Sequence, residues 1–341
     1  MTPMRRSKIV ITGASGFIGR HACAHFAGEG YEVVAVVRRQ GTFTCDSKAD
    51  VVDRVREAVC DITQPEQVEQ MLAAERPQML LHLAGLNAVA DSWREPIMYM
   101  NVNVMSTMHL LDSLCRLTLK DCRILIVGSM LSFRLRDDNP PHSQHPYSLS
   151  KTMQLLAARA WGSMFRLPVM VAQPSNMIGP GRSQGICSLI AAYTARIERG
   201  IDQPPFRLSS ITEARDFVDV RDAVRAFGYI LRLGTPGGVY PIGTGHMRTL
   251  GEVAVSFEAH STAPITWRIG TNPNAEPMSF LVQAESGGPV DQIALLQSDP
   301  PPSSPINLDP IHSLGWQPLN PFERTLEEVL HFFRNEASQG Q

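Results

Sequence analysis

The chain has 341 residues, 43% hydrophobic and 19% charged, with a formal net charge of −2. That length can bury a full core in one large or two coupled domains, and the composition is that of a soluble globular protein. The near-zero charge offers nothing to nucleic acid or to an anionic membrane surface, and no apolar run approaches the ~18 residues of a membrane span.

Met1 to Lys8 is polar and basic, but the apolar run that follows, Ile9 to Thr12, is too short for a signal-peptide core. The cysteines Cys23, Cys45, Cys60, Cys115, Cys122 and Cys187 are scattered without a Cys-x-x-Cys pair. They read as reduced thiols of a cytoplasmic protein, not as disulfides or metal ligands.

Lys8 to Thr12 predicts a first strand, ending in Gly13-Ala14-Ser15-Gly16-Phe17-Ile18-Gly19 and a helical pattern from Phe17 to Ala27. Strand, glycine turn and helix form the context of a dinucleotide-binding fingerprint. Gly13 would permit the tight turn, Gly16 would let a pyrophosphate approach the backbone, and Gly19 would let helix and strand pack closely. The alternative is a purely structural loop. Tyr31 to Val37 predicts a second strand, buried on both faces, that ends in Arg38-Arg39. An acid there would suit the ribose of NAD, whereas arginines suit the 2′-phosphate of NADP. Two solvated arginines at a strand end are the other reading.

Gln40 to Val55 reads as a polar loop. Glu57 to Ile62 predicts a third strand that places Asp61 to meet an adenine, and Pro65 to Ala74 predicts a helix. Met79 to Gly85 predicts a fourth strand, whose small end residues would let a cofactor lie close. His82 within it reads as a core histidine. A single long helix is expected from Pro96 to Cys115, carrying Asn103. Arg123 to Val127 predicts the fifth strand, with Ser129 just past its carboxyl end, where open α/β sheets place their sites.

Pro146-Tyr147-Ser148-Leu149-Ser150-Lys151 opens an apolar helix. Four residues apart, Tyr147 and Lys151 share a helix face. An ammonium beside a phenol favours the phenolate, so the tyrosine pKa is expected to fall toward neutrality and to serve proton transfer at a carbohydrate carbon–oxygen bond. Alone, this pair reads equally as a surface helix start. Val169 to Ala172 predicts the sixth strand, and the alternation to this point argues for a doubly wound parallel sheet.

The turn-rich run Gln173 to Gly181 marks the exit from that sheet. Helices are expected at Ile186 to Arg199, Arg221 to Leu233, Leu250 to His260 and Pro321 to Asn335, with a strand-like stretch at Thr212 to Val220. Gly287 to Pro305 is rich in proline, serine and glycine and reads as exposed. The fold class is therefore α/β, a doubly wound parallel sheet followed by a smaller C-terminal α/β domain. The expected domains are 1–173 with 217–246 for the dinucleotide, and 174–216 with 247–336 for the substrate.

The glycine turn, the Ser129 strand end and Tyr147-x-x-x-Lys151 together resemble the extended short-chain dehydrogenase/reductases, the NAD-dependent epimerase/dehydratase family with a Rossmann domain. Further stretches are similar to its GDP-4-keto-6-deoxy-D-mannose reductase branch. These are Ser92-Trp93-x-x-Pro96, Asn103-x-x-Ser106-Thr107, Asn176-x-Ile178-Gly179-Pro180-Gly181, Arg215-Asp216-Phe217-x-Asp219-Val220-Arg221-Asp222, Gly238-Val239-Tyr240 and Leu314-Gly315-Trp316.

The resemblance implies that Tyr147 is a general acid, Lys151 its tuner and a ribose ligand, and Ser129 a donor to the reacting oxygen. Phe17, Ile18, Ile62, Leu83, Ala84, Gly85, Asn103 and Pro174 would join Gly13, Gly16, Gly19, Arg38, Arg39 and Asp61 around NADP(H), with NAD(H) the second cofactor. Asn176 and Arg215 would touch the substrate, Arg215 its diphosphate. The implied activity is NADPH-dependent reduction of the 4-keto group of a nucleotide-linked 4-keto-6-deoxyhexose in deoxysugar biosynthesis. A nucleotide-sugar 4-epimerase with bound NAD and a non-catalytic cofactor sensor are the alternatives. Two helices carry apolar residues beyond one face, Met100, Met105, Met108 and Leu111, then Met153, Leu156, Ala160 and Met164, as helices buried on more than one side do; the resemblance implies that they form the bundle of a homodimer, the alternative being that they simply cover the sheet.

Five departures from the family pattern bear on the substrate. Ser129-Met130-Leu131-Ser132-Phe133-Arg134 lacks the acid that dehydratases need. Gln173 stands where arginine is common. Ser175 and Met177 replace a frequent phenylalanine and histidine. Gly288-Pro289 stands near the usual Arg-Pro.

Overall fold

The computed structural model describes residues 7–43, 53–132, 145–270 and 306–339. The expectations for residues 287–305, for most of the 40–55 loop, and for Cys45, Phe133 and Arg134 lie outside the described residues. The chain divides into two compact units, 1–174 with 223–242 and 308–317, and 175–222 with 243–307 and 318–341. Residues 308–317 fall in the first unit, where the sequence reading placed them in the second, and residues 217–222 and 243–246 fall in the second, where it placed them in the first.

The first unit is built on a seven-stranded sheet in the order β10-β6-β5-β4-β1-β2-β3, parallel at every pairing. Its strands are β1 (Lys8–Thr12), β2 (Glu32–Val37), β3 (Val55–Val59), β4 (Met79–His82), β5 (Arg123–Val127), β6 (Val169–Pro174) and β10 (Val239–Ile242). The central strands are runs of β-branched residues because both faces are covered; Ile9, Val10, Ile11, Val33 and Val34 have no exposed surface. Helices α1 (Phe17–Gly28), α2 (Pro65–Glu75), α5 (Ser106–Arg116) and α6 (Pro146–Phe165) belong to this unit. On one side Leu72, Leu110, Leu114 and Ala158 pack with Val10, Leu80, Ile124 and Val169 in one apolar cluster. Strand order reverses between β1 and β4, the switch point at which open α/β sheets bind ligands.

The expected long helix from Pro96 to Cys115 is interrupted. It consists of the short α4 (Pro96–Tyr99), a π-helical segment (Met100–Met105) and α5, preceded by α3 (Val89–Arg94). Glu95, before Pro96, leaves the helical region at φ −131° and ψ 56°, as a residue preceding proline does. Within the π segment the widened turns coincide with side chains that compete for backbone partners. Asn103 bonds the Leu86 backbone in both directions, and Thr107 bonds back to the Asn103 carbonyl.

The second unit holds a three-stranded sheet, β11-β9-β7, and a two-stranded parallel one, β12-β8. Its strands are β7 (Asn176–Ile178), β8 (Phe206–Leu208), β9 (Ala214–Asp219), β11 (Met247–Thr249) and β12 (Trp267–Ile269). Ile190, Phe217, Phe257, Trp267 and Leu330 centre its core. They come from these strands and from α7 (Ile186–Ile197), α9 (Leu250–His260) and α11 (Phe322–Gln339). α8 (Val220–Leu233), from residue 223 on, and α10 (Asp309–His312) belong to the first unit.

Candidate active site

The turn after β1 is set by backbone crowding. Gly13 has φ +69°, and a Cβ there would stand 2.8 Å from the Ala84 backbone. A Cβ on Gly19 would collide with the Gly13 carbonyl and with Ala14. Gly16 differs: a Cβ there meets only the Gly13 carbonyl oxygen, at 3.2 Å. Gly16 therefore borders open space at the N-cap of α1, where no side chain caps the free N–H groups. That cradle fits the pyrophosphate of a dinucleotide. Phe17 and Ile18 are half-buried in the first turn of α1.

Past β2, Arg38 and Arg39 are exposed, and among the described residues neither side chain makes an ion pair. Asp61 lies two residues beyond β3, and its Oδ1 accepts from Thr63 N at 3.0 Å and Thr63 Oγ1 at 2.8 Å. Ile62 beside it is buried. Leu83, Ala84 and Gly85 follow β4; a Cβ on Gly85 would stand 2.9 Å from Asn103 Oδ1 and 3.4 Å from Lys151 Nζ. This close approach brings the end of β4, the π segment and α6 together.

His145 caps α6. Its Nδ1 accepts from Ser148 N at 3.0 Å, and Pro146 takes the first helical position. The Ser129 loop is tied to this helix start, since Ser148 Oγ donates to the Leu131 carbonyl at 2.6 Å. It is tied to β6 as well. Gln173 Nε2 donates to Ser132 Oγ at 2.7 Å, and Met130 N to the Pro174 carbonyl at 3.3 Å. Gln173, a departure from the family pattern, thus serves as a brace. These ties hold the Ser129 loop at the Tyr147 end of α6. The Tyr147 ring lies edge-on to Tyr99 at 6.3 Å and stacks on His145 at 5.9 Å.

The structure corrects the expected electrostatics. Tyr147 is not pulled toward neutrality. Burial pushes its phenol above the ordinary value, and the opposing influence is the hydroxyl of Ser129. Lys151 finds its partners elsewhere than at Tyr147. Its Nζ donates to the Val127 carbonyl at 3.2 Å and to Gln154 Oε1 at 2.9 Å. Burial lowers the lysine itself from 10.5 to about 8. Asn103, fully buried, braces Ser150 of the same helix at 2.9 Å.

Asn176 and Arg215 belong to the second unit. Asn176 is exposed and donates to the Asp216 carbonyl at 3.0 Å. Arg215 is half-exposed and donates through Nε and Nη2 to Glu213 Oε1 at 2.9 and 2.6 Å.

Sequence reasoning missed several supporting residues: Thr12, Thr107, Gln154, His145 and Ser148. Gln154 alone carried a local signal, three residues past Lys151 on the same helix face. The others become neighbours only when strands and helices pack.

A doubly wound parallel sheet, a glycine turn at its switch point, and Ser129 past β5 with Tyr147 and Lys151 on α6 define a dinucleotide-dependent enzyme of the short-chain dehydrogenase/reductase fold. The chain belongs to the NAD dependent epimerase/dehydratase family, whose profile matches residues 9–243. It is 26% identical over 256 residues to the GDP-6-deoxy-D-mannose reductase of Pseudomonas aeruginosa, covering 72% of this chain and 77% of that protein. It is also 26% identical over 291 residues to the UDP-glucose 4-epimerase of Bacillus subtilis, covering 76% and 84%. Among solved structures, RMD from Pseudomonas aeruginosa complexed with NADPH aligns at a TM-score of 0.74 and 20% identity, covering 97% of this chain and 98% of that one. A UDP-glucose 4-epimerase from Thermotoga maritima with UDP-glucose aligns equally well, at 0.74 and 20%, covering 97% and 99%.

Proposed function

We propose that this protein is an NADPH-dependent reductase of the 4-keto group of a nucleotide-linked 4-keto-6-deoxyhexose, with GDP-4-keto-6-deoxy-D-mannose as the first substrate to test. The observation that favours this reading over an epimerase is the exposed pair Arg38 and Arg39 past β2, where an enzyme that keeps NAD bound would more naturally carry an acid. Tyr147, buried beside the Ser129 loop, is placed as the general acid.

Gly13, Gly16 and Gly19 with the α1 N-terminus would hold the cofactor's pyrophosphate, and Arg38 and Arg39 its 2′-phosphate. Asp61, Ile62, Leu83, Ala84, Gly85, Asn103 and Pro174 are the further cofactor residues of this reading. The nicotinamide supplies a hydride when bound. The chain's own groups do the rest. Ser129 Oγ and the Tyr147 hydroxyl donate to the sugar carbonyl oxygen and stabilise the charge that develops on it. Tyr147 then gives its proton to that oxygen. The resulting phenolate favours an approach of the Lys151 ammonium, which at neutral pH is still largely protonated. Asn176 and Arg215 are assigned to the substrate, Arg215 as a charge-assisted partner of the diphosphate.

The protein is further proposed to act as a homodimer. Leu111 is in the core, but Met105, Met153, Leu156 and Met164 are exposed among the described residues. A monomer in light scattering at micromolar concentration would remove that part of the reading.

Purified protein should oxidise added NADPH in the presence of one of a panel of GDP-, dTDP- and UDP-linked 4-keto-6-deoxyhexoses, with no nicotinamide bound on isolation. The second reading, a 4-epimerase, is kept open by the 26% identity to the Bacillus subtilis enzyme. Tightly bound NAD on isolation, with exchange of C4 epimers and no NADPH oxidation, would establish it instead.

A further inference from the structure

Lys151 is a buried cation, and among the described residues no carboxylate pairs with it. An isolated ammonium in such a place is costly unless its protons meet well-oriented acceptors. One acceptor is the Val127 carbonyl at the end of β5, fixed by the sheet. The other is a side-chain oxygen, Gln154 Oε1 at 2.9 Å, and its orientation has to be secured by something else.

It is secured by a chain of buried side chains. Gln154 Nε2 donates to Thr107 Oγ1 at 2.9 Å. Thr107 spends its own proton on the Asn103 carbonyl at 2.8 Å, so toward its other neighbours it is an acceptor. His82 Nε2, 3.0 Å from Thr107 Oγ1, must therefore carry the imidazole proton. His82 Nδ1 is then bare and accepts from Thr12 Oγ1 at 2.7 Å, and Thr12 Oγ1 accepts from Ala84 N at 3.3 Å. One assignment of protons satisfies every contact. Rotating the Gln154 amide by half a turn would set its NH2 against the ammonium and its oxygen against the lone pairs of Thr107. Thr12, His82, Thr107 and Gln154 are all at most 1% exposed, so water cannot repair such an error.

We propose that Gln154 is a positioning residue for Lys151, its amide oxygen locked toward the ammonium by the neutral chain Thr12–His82–Thr107 and standing in for the missing counter-charge. The inference rests on the reading above only in giving Lys151 a part in the chemistry. The lowered pKa values of Lys151, about 8, and His82, about 3, agree with a neutral chain ending in one loosely held proton. Among the described residues, the titratable groups around Lys151 are Tyr147, one turn away on α6, and His82 on β4, with Tyr99 on α4 beyond Tyr147. β5 contributes backbone only, and the π segment contributes the neutral Asn103.

The test reads the lysine directly. The protein is labelled at lysine 13Cε, and the Lys151 resonance is identified by its loss in Lys151→Met. Gln154→Met removes the oxygen at similar volume and should lower the Lys151 midpoint by about one pH unit or more. Gln154→Glu adds a counter-charge and should raise it by a similar amount. Thr107→Val, which frees the amide, should act like Gln154→Met, and Thr107→Ser should restore the wild-type midpoint. The alkaline limb of NADPH-dependent keto-sugar reduction should move with the resonance. Midpoints unchanged in folded Gln154→Met and Gln154→Glu would overturn the proposal whatever the activity. Midpoints that move while the activity profile stays still would uphold Gln154 and overturn the role of Lys151 in catalysis.

Discussion

Replacing Lys151 by methionine should change how the stability of the free protein depends on pH. In the folded chain Lys151 titrates near about 8, against 10.5 for an ordinary lysine. Below pH 8 both folded and unfolded states hold the proton, and keeping it in the interior costs roughly 3 kcal/mol at 1.36 kcal/mol per unit. Between about pH 8 and 10.5 the folded state has released its proton while the unfolded chain keeps it. The unfolded state then binds more protons, so wild-type stability rises with pH through this window. From pH 7 to pH 9 the gain is about 1 kcal/mol. Methionine removes the buried charge but strands Gln154 Oε1, an opposing loss of about 1–3 kcal/mol, so the net change at pH 7 should be small. The difference in slope is therefore decisive. Urea unfolding of both proteins, followed by far-ultraviolet circular dichroism at pH 7 and pH 9, measures it, because the double difference cancels the other titrating groups. Parallel pH dependences would show that Lys151 titrates like a solvated lysine and that its enclosure carries no electrostatic cost.

Tyr147→Phe should lower turnover roughly 100- to 10,000-fold while NADPH binding, followed by fluorescence, survives; activity within threefold of wild type would mean that another group is the acid. Replacing Arg38 and Arg39 together by serine should weaken NADPH binding tenfold or more, since about 1.4 kcal/mol is tenfold, and leave NADH nearly unchanged; equal losses for both cofactors would detach the arginines from the 2′-phosphate. His82 is held neutral, with its pKa lowered from 6.5 to about 3 by burial and by Lys151, so its stabilising contribution is present above pH 6.5 and is lost as pH falls toward 3. At pH 5 that loss is about 2 kcal/mol, and unfolding of His82→Gln should lack this share of the acid slope.

Much of the fold was legible along the chain. Ile9 to Ile11, Val33 to Val37 and Arg123 to Val127 read as buried parallel strands because their apolar runs are short and β-branched, and they form that sheet. The glycine spacing at 13, 16 and 19 declared a turn that a Cβ would obstruct at two of the three positions. The interrupted helix was not legible. Met100 to Met105 carries two asparagines and two valines, weak helix formers, but nothing in it specifies π turns, which go with contacts that Asn103 makes to Leu86, 17 residues away.

The sequence by itself determined most of the elements, the glycine turn after β1, the four-residue spacing of Tyr147 and Lys151, and the arginines after β2. These depend on local spacing, and spacing survives in a one-dimensional string. Only the tertiary structure decided the protonation states and partners. A tyrosine and a lysine four apart on a helix predict a depressed phenol. Packing buries both groups, and burial penalises whichever form is charged, so the phenol rises, the lysine falls and Nζ turns to Val127 and Gln154. Desolvation depends on what surrounds a group in three dimensions, and Thr12, His82 and Thr107 meet Gln154 only after β1, β4, α5 and α6 have closed around them.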